Sequence, residues 1–240
     1  MSTTEKNQEQ IAKNRELIFL IESEVLSNKA LIYQSRSMIE ENRMMIMSNY
    51  SAAFMGNRQL ANANTDEIFA NRAAILRNMD SQDEVKKNYI DAQTNKSKLD
   101  FLKHRSSLNA TVLEISKKMA EVNAQLVQIN SDIMEANNSI VEFNSEQIAE
   151  NSKMLSGSLS AENATPESNA EIIASNSAAM EEMNSKISNN RGTILAVLET
   201  SEMNAASLLK NKDEINDRRI SIMENRKGIA DNKAKIGQHL

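Results

Sequence analysis

The side chains that could perform acid–base or metal chemistry are scattered along this chain of 240 residues. Its two histidines, His104 and His239, are far apart, and neither has the spacing of a metal-ligand pair or a catalytic triad. Adjacent carboxylates occur, as at Glu40 and Glu41, without the Glu-x-x-His motif of a di-metal bundle. Cysteine is absent, and no phosphate-binding glycine loop or nucleophile motif is present. We therefore predict a non-enzymatic protein with no catalytic residue, metal site or cofactor.

The most regularly spaced polar group is the amide of asparagine. Of 30 Asn residues, 24 fall on a heptad grid with three breaks in phase. The residue four places after each of these Asn is apolar in 23 of the 24 cases, Gln82 being the exception. This repeat predicts coiled-coil helices with an apolar residue at position a and Asn at position d. The predicted polar-core residues are Asn14, Asn28, Asn42, Asn71, Asn123, Asn130, Asn137, Asn144, Asn176, Asn190, Asn204, Asn211, Asn225 and Asn232.

These amides require hydrogen-bond partners if they are buried. An unsatisfied buried amide costs roughly 1–3 kcal/mol, whereas a whole domain is stable by only about 5–15 kcal/mol. Three arrangements would satisfy them: bonds to each other or to backbone carbonyls, a column of water or an anion along the core, or a half-solvated position at the rim. Mutually satisfied amides would also disfavour slips in helix register.

The breaks in the grid indicate where the helices end. Between Asn151 and Asn169 lies the only proline; Gly157 is a natural terminator, and Thr165 before Pro166 is a helix start. Between Asn78 and Asn88, Ser81 and Glu84 form a predicted capping box. The eight-residue step from Asn49 to Asn57, which contains Gly56, favours a continuous helix with a π-type bulge or a kink over a third turn.

The predicted fold is all-α: a long antiparallel coiled-coil three-helix bundle running up-down-up, with a four-helix bundle turning near Gly56 as the runner-up. The predicted helices cover about 5–79, 83–155 and 166–237, with loops at about 79–83 and 156–166. At 1.5 Å per residue each helix would be roughly 105 Å long. Residues 1–240 would then form a single elongated helical domain.

The charge balance excludes several classes of partner. The net charge is −5 and the pI about 5.3, so no basic field favours nucleic acid or an anionic membrane. The longest uncharged run is too short for a stable membrane span, and no signal peptide is predicted. We expect a soluble protein and favour a cytoplasmic location.

The apolar-x-x-Asn unit resembles the polar layers in the stalks of trimeric autotransporter adhesins. That resemblance, at the level of the motif alone, implies inward-pointing amides that enclose a chloride-like anion. The chain departs from those adhesins because it has no recognisable head or membrane anchor, and because its turns favour an antiparallel arrangement.

The middle helix carries an additional apolar column, which marks a candidate partner-facing stripe. The stripe consists of Phe101, Leu108, Ile115, Val122, Ile129 and Phe143. It indicates either the central helix of the bundle or a surface for self-association or a partner helix. The leading functional hypothesis is a rigid helical rod that acts as a scaffold, spacer or assembly subunit. The alternatives are a bundle that binds a small ligand, anion or water column in its Asn-lined core and, more weakly, a membrane-inserting toxin-like protein.

Overall fold

The chain forms three long helices, as the sequence predicts, and the fold is all-α. The computed structural model describes residues 2–79, 82–158, 160–162 and 164–238. Helix α1 covers Thr3–Tyr50 and is joined through a π-helical segment, Ser51–Asn57, to α2, Arg58–Asn78. Helix α3 covers Glu84–Lys153 and ends in a π-helical turn, Met154–Ser158, while α4 covers Pro166–Gln238. No strand occurs in the described ranges.

The predicted irregularity at Gly56 is confirmed as a π-helical segment within a continuous helix. Tyr50 and Ser51, at the junction with α1, both keep right-handed helical torsions, so the chain does not reverse here. The four-helix alternative was therefore wrong. One extra residue in a heptad repeat widens a helical turn, and a π bulge accommodates it without breaking the backbone hydrogen bonds on either side.

The helix ends follow local capping chemistry. Gly157 has a φ of 88°, a left-handed conformation that glycine adopts without steric cost, and it terminates the segment after α3. The Thr165 hydroxyl accepts a hydrogen bond from the Ser168 amide at 3.1 Å, which caps α4 at Pro166. Helix α3 is capped by Asp83, whose carboxylate accepts from two backbone amides. Ser81, predicted as the cap, lies outside the described residues.

The chain divides into two compact units. The first unit comprises Met1–Asn64 and Glu162–Gly228 and therefore contains α1, the π-helical segment and most of α4. Contacts between α1 and α4 join residues separated by a constant 159 positions, so the two helices run in the same direction. Their shared core includes Ile21, Met180 and Ile187.

The second unit comprises Thr65–Ala161 and Ile229–Leu240. The Phe69 ring meets the Phe101 ring edge-on at a centroid distance of 5.0 Å, so α2 packs on the first part of α3. Ion pairs flank this contact: Arg72 with Asp100, and Arg105 with Asp66. The end of α4 joins α2 through a hydrogen bond at Ile229.

Candidate functional site

A row of asparagine side chains on α1, the π-helical segment and the start of α2 links this continuous helix to the backbone of α4 in the first unit. Each side-chain Nδ2 donates a hydrogen bond to the backbone carbonyl oxygen of an α4 residue, at 2.8–3.3 Å. The donor–acceptor pairs are Asn7 with Pro166, Asn14 with Ile173, Asn28 with Ile187, Asn42 with Ser201, Asn49 with Leu208, Asn57 with Ile215 and Asn64 with Ile222. We call these seven side chains the asparagine ladder. In the second unit Asn71 donates to Ile229 in the same way, at 3.2 Å.

The ladder uses acceptors that a helix always offers. A helical carbonyl oxygen has two lone pairs, only one of which is needed for the bond within its own helix. The Asn Nδ2 group donates to the other, so this donor is satisfied without a matching polar side chain on α4. This is the first of the three arrangements considered for the buried amides, and it explains how a polar residue can recur in a coiled-coil core.

The π-helical segment keeps the ladder in phase. Between Asn49 and Asn57 the α1 side advances eight residues, while the acceptors advance seven, from Leu208 to Ile215. The sequence separation accordingly changes from 159 to 158 and then stays constant. Without the wider π turn, the extra residue would rotate every later Asn by about 100° around the helix. The segment is thus a register correction between two helices of unequal repeat.

The ladder is asymmetric, because α1 presents its Asn column to α4 while α4 presents its isoleucine column to α1. Asn14, Asn28 and Asn42 are buried, as are Ile173 and Ile187. Asn71 is half-buried. The structure places the other predicted polar-core residues at exposed positions: Asn123, Asn130, Asn137, Asn144, Asn176, Asn190, Asn204, Asn211, Asn225 and Asn232.

The acceptor oxygens of the ladder amides differ in their partners. The Ser177 hydroxyl lies 3.0 Å from Oδ1 of Asn14 and 3.0 Å from the Ile173 carbonyl oxygen, and its single proton is donated to one of the two at a time. The position equivalent to Ser177 beside Asn28 is Arg191, 163 residues further along the chain. Among the described residues, Oδ1 of Asn28 and Oδ1 of Asn57 are buried without a hydrogen-bond partner. Oδ1 of Asn14 therefore has a hydrogen-bond donor within reach, whereas Oδ1 of Asn28 has none among the described residues.

Beside Asn28 an open groove of about 650 Å³ lies between the two helices of the first unit. Its walls are mostly apolar: Val25, Ile32 and Ile39 from α1, and Ile187, Ile194 and Val197 from α4. Lys29 and Arg36 stand at its edge. The groove is therefore an open, mostly apolar surface of the first unit.

The candidate partner-facing stripe on α3 divides into two parts. Phe101 and Leu108 are half-buried, and Phe101 contacts Phe69. Ile115, Val122, Ile129 and Phe143 are exposed. One column of side chains is thus a core contact at its start and a free surface at its end.

Within the described part of the chain, the titratable groups do not converge on a site. His104 is exposed, and His239 lies outside the described residues. Lys13 and Lys186 each pair with a carboxylate one turn away and hold the pKa of exposed Glu9 and Glu182 below the usual range, chiefly by hydrogen bonding. Across the described ranges no group of three His, Cys, Asp or Glu side chains could hold a metal ion.

The predicted polar core includes Asn14, Asn28 and Asn42 of the ladder, whereas the sequence does not identify the carbonyl groups that accept from them. Asn7, Asn49, Asn57 and Asn64 were absent from the predicted core although they lie on the same heptad grid, which was the available signal. Ser177 was missed because nothing in the repeat distinguishes it.

No helix within the described ranges has a stretch apolar enough, and long enough, for a membrane crossing. Comparison with protein-family models, with curated proteins and with solved structures returned no match.

Proposed function

We propose that this chain is a non-enzymatic structural protein, a helical scaffold or assembly subunit. The observation that carries the proposal is the asparagine ladder, seven bonds on one heptad grid that hold residues 7–64 and α4 in one register over the length of the first unit. Such a repeat fixes the alignment of two long helices, and the Nδ2 groups of the ladder are engaged in hydrogen bonds between these helices.

The proposed architecture is an antiparallel three-helix bundle that runs up-down-up. Two observations support it. In the first unit α1 and α4 run in the same direction. In the second unit the contacts of α2 with α3 fall in reverse order, since Asp66 meets Arg105 whereas Arg72 meets Asp100. A chain that returns on α3 and goes out again on α4 has both properties. Helix α3 packs in this arrangement only over its first part, since every residue from 121 to 157 is exposed.

Small-angle scattering with an absolute mass, at two protein concentrations, tests the proposal. A bundle of helices of this length should show a maximum dimension of at least roughly 105 Å. A matched variant lacking four ladder amides (Asn14, Asn28, Asn42 and Asn49 to Ser) should lose the defined cross-section while the wild-type chain keeps it. A compact particle about two-thirds of that length would contradict the scaffold.

A second candidate, a bound core ligand, is favoured by the two orphaned oxygens. Oδ1 of Asn28 and Oδ1 of Asn57 are hydrogen-bond acceptors, so they suit water rather than an anion. Thermal unfolding in matched chloride and fluoride solutions separates the two ligands. We expect equal midpoints, whereas a chloride-specific rise would indicate an anion site of the kind that the adhesin resemblance implies.

A further inference from the structure

Helix α3 carries an apolar seam whose residues follow one another in alternating steps of four and three. The seam consists of Leu108, Val112, Ile115, Met119, Val122, Leu126, Ile129, Ile133, Ala136, Ile140 and Phe143. This spacing is that of the a and d positions of a coiled coil, and it is uninterrupted by a polar residue. We call it the α3 seam.

The α3 seam continues an interface that the second unit already contains. Leu108, Val112 and Met119 are half-buried, and Phe101, one heptad before Leu108, packs on Phe69 of α2. From 121 to 157 every residue is exposed, including Ile129 at 50% and Phe143 at 59%. The packed face therefore extends beyond its partner as about 25 residues of unpaired coiled-coil surface, roughly 37 Å long.

We propose that a second copy of this chain covers the exposed seam, with the two α3 helices antiparallel and a two-fold axis at Ser131. In this register every layer joins apolar residues: Met119 with Phe143, Val122 with Ile140, Leu126 with Ala136, and Ile129 with Ile133. Antiparallel coiled coils pair a with d positions, and each of these layers does so. The interface is isologous and closes on itself, as a two-fold dimer requires.

The charges at the two ends of the seam favour the antiparallel direction, whereas Asp132 lies beside the two-fold axis and meets the Asp132 of the second copy. Lys117 and Lys118 precede the exposed part, whereas Glu142, Glu146 and Glu150 lie at its end. Antiparallel pairing places Lys118 beside Glu146 of the second copy, twice per dimer. Parallel pairing would place the glutamates of one copy beside those of the other, and like charges on neighbouring helices repel.

The absence of cysteine from the sequence gives a direct test of direction. Leu126→Cys and Ala136→Cys are prepared as separate full-length chains, mixed and oxidised. Antiparallel pairing predicts a disulfide-linked dimer from the mixture and little from either variant alone, because identical positions are then about 15 Å apart along the axis. Parallel pairing predicts the reverse, and it would overturn the proposed register.

A second pair of variants tests which face is used. Ile129→Lys places two charges next to the two-fold axis and should raise the dimer dissociation constant roughly a hundredfold. Val127→Lys changes an apolar residue of the same helix that is 69% exposed but lies off the seam. This variant should change the dimer dissociation constant by less than about threefold. Equal effects of the two variants would overturn the assignment of this face.

A charge exchange refines the register. Lys118→Glu should weaken the dimer by roughly fivefold, and adding Glu146→Lys should restore it. Circular dichroism and unfolding of each variant monitor helix content, so a folding defect is separated from a loss of pairing.

The proposed dimer rests on the proposed function, since it names the partner of an assembly subunit. Different results would contradict the dimer and the scaffold. A wild-type chain that stays monomeric up to about 100 μM, with Ile129→Cys slow to react with a thiol reagent, would mean that the same chain covers the seam. That result overturns the dimer and leaves the scaffold in place. A short particle in scattering would instead remove the scaffold, whatever its mass.

Discussion

Helix α1 in the first unit and the second half of α3 contain the same Asn heptad and use it in opposite ways. In α1 the Asn column is buried and bonded to α4; in α3 the Asn column is exposed beside an apolar seam. The difference lies in the residue before each Asn. It is polar in α1, as at Lys13, Ser27 and Glu41, and apolar in α3, as at Val122 and Ile129.

That single position moves the centre of the apolar arc. A helix turns its widest apolar face toward its partner. In α1 the arc is centred on the Asn column, so the amides enter the interface. In α3 an additional apolar column shifts the centre away from them. An Asn heptad therefore lies inside a helix interface or beside it, according to the residues next to each Asn. The buried Asn column of α1 fixes the register of the helix pair, whereas the seam of α3 provides a larger apolar area.

The largest expected effect comes from deleting one residue at two places in the first helix. Deletion of Arg36 rotates the preceding part of α1 by about 100° and breaks the hydrogen bonds of Asn7, Asn14 and Asn28 to the carbonyl groups of α4. We therefore expect the free energy of unfolding to fall by roughly 3–6 kcal/mol. Deletion of Ala53 restores a seven-residue step between Asn49 and Asn57 and should change stability by less than about 1 kcal/mol. Urea unfolding measures both, and comparable losses would contradict the register role of the π-helical segment.

An intermediate effect is expected from removing one amide inside or outside the ladder. Asn42→Ala loses the bond to Ser201 and leaves a buried gap, which should cost about 1–3 kcal/mol. Asn204→Ala removes the same residue type from an exposed grid position of α4 and should stay within about 0.5 kcal/mol. Thermal or urea unfolding measures the stability of the two variants. An equal loss of stability in both would mean that the ladder bonds add nothing beyond what an exposed Asn contributes.

The smallest effect concerns the second hydrogen bond of the ladder amides. Ser177→Ala should orphan Oδ1 of Asn14 and lower stability by about 0.5–1 kcal/mol. Arg191→Ser places a hydroxyl at the equivalent position beside Asn28 and should be more stable than the control Arg191→Ala by a similar amount. The same stability for Ser and Ala at 191 would show that Asn28 already has a partner in solution.

The three-helix, all-α fold could be predicted because its signals are local. Gly157 and Thr165 with Pro166 act through a few bonds of their own backbone, and the eight-residue step at Gly56 requires an irregular turn wherever the helix packs. The partners of the amides could not be predicted in the same way. A backbone carbonyl is present at every residue, so the sequence does not mark which ones accept, and α1 and α4 carry the same repeat with opposite columns in the interface.

The ladder itself is tested most directly by side-chain amide exchange in protein labelled with ¹⁵N-asparagine. We predict that the Nδ2 protons of Asn14, Asn28 and Asn42 exchange with solvent far more slowly than those of Asn176, Asn204 and Asn225. Assignment uses one Asn→Gln variant per signal. Uniformly fast exchange at all six positions would contradict the ladder, and with it the claim that asparagine sets the register of these helices.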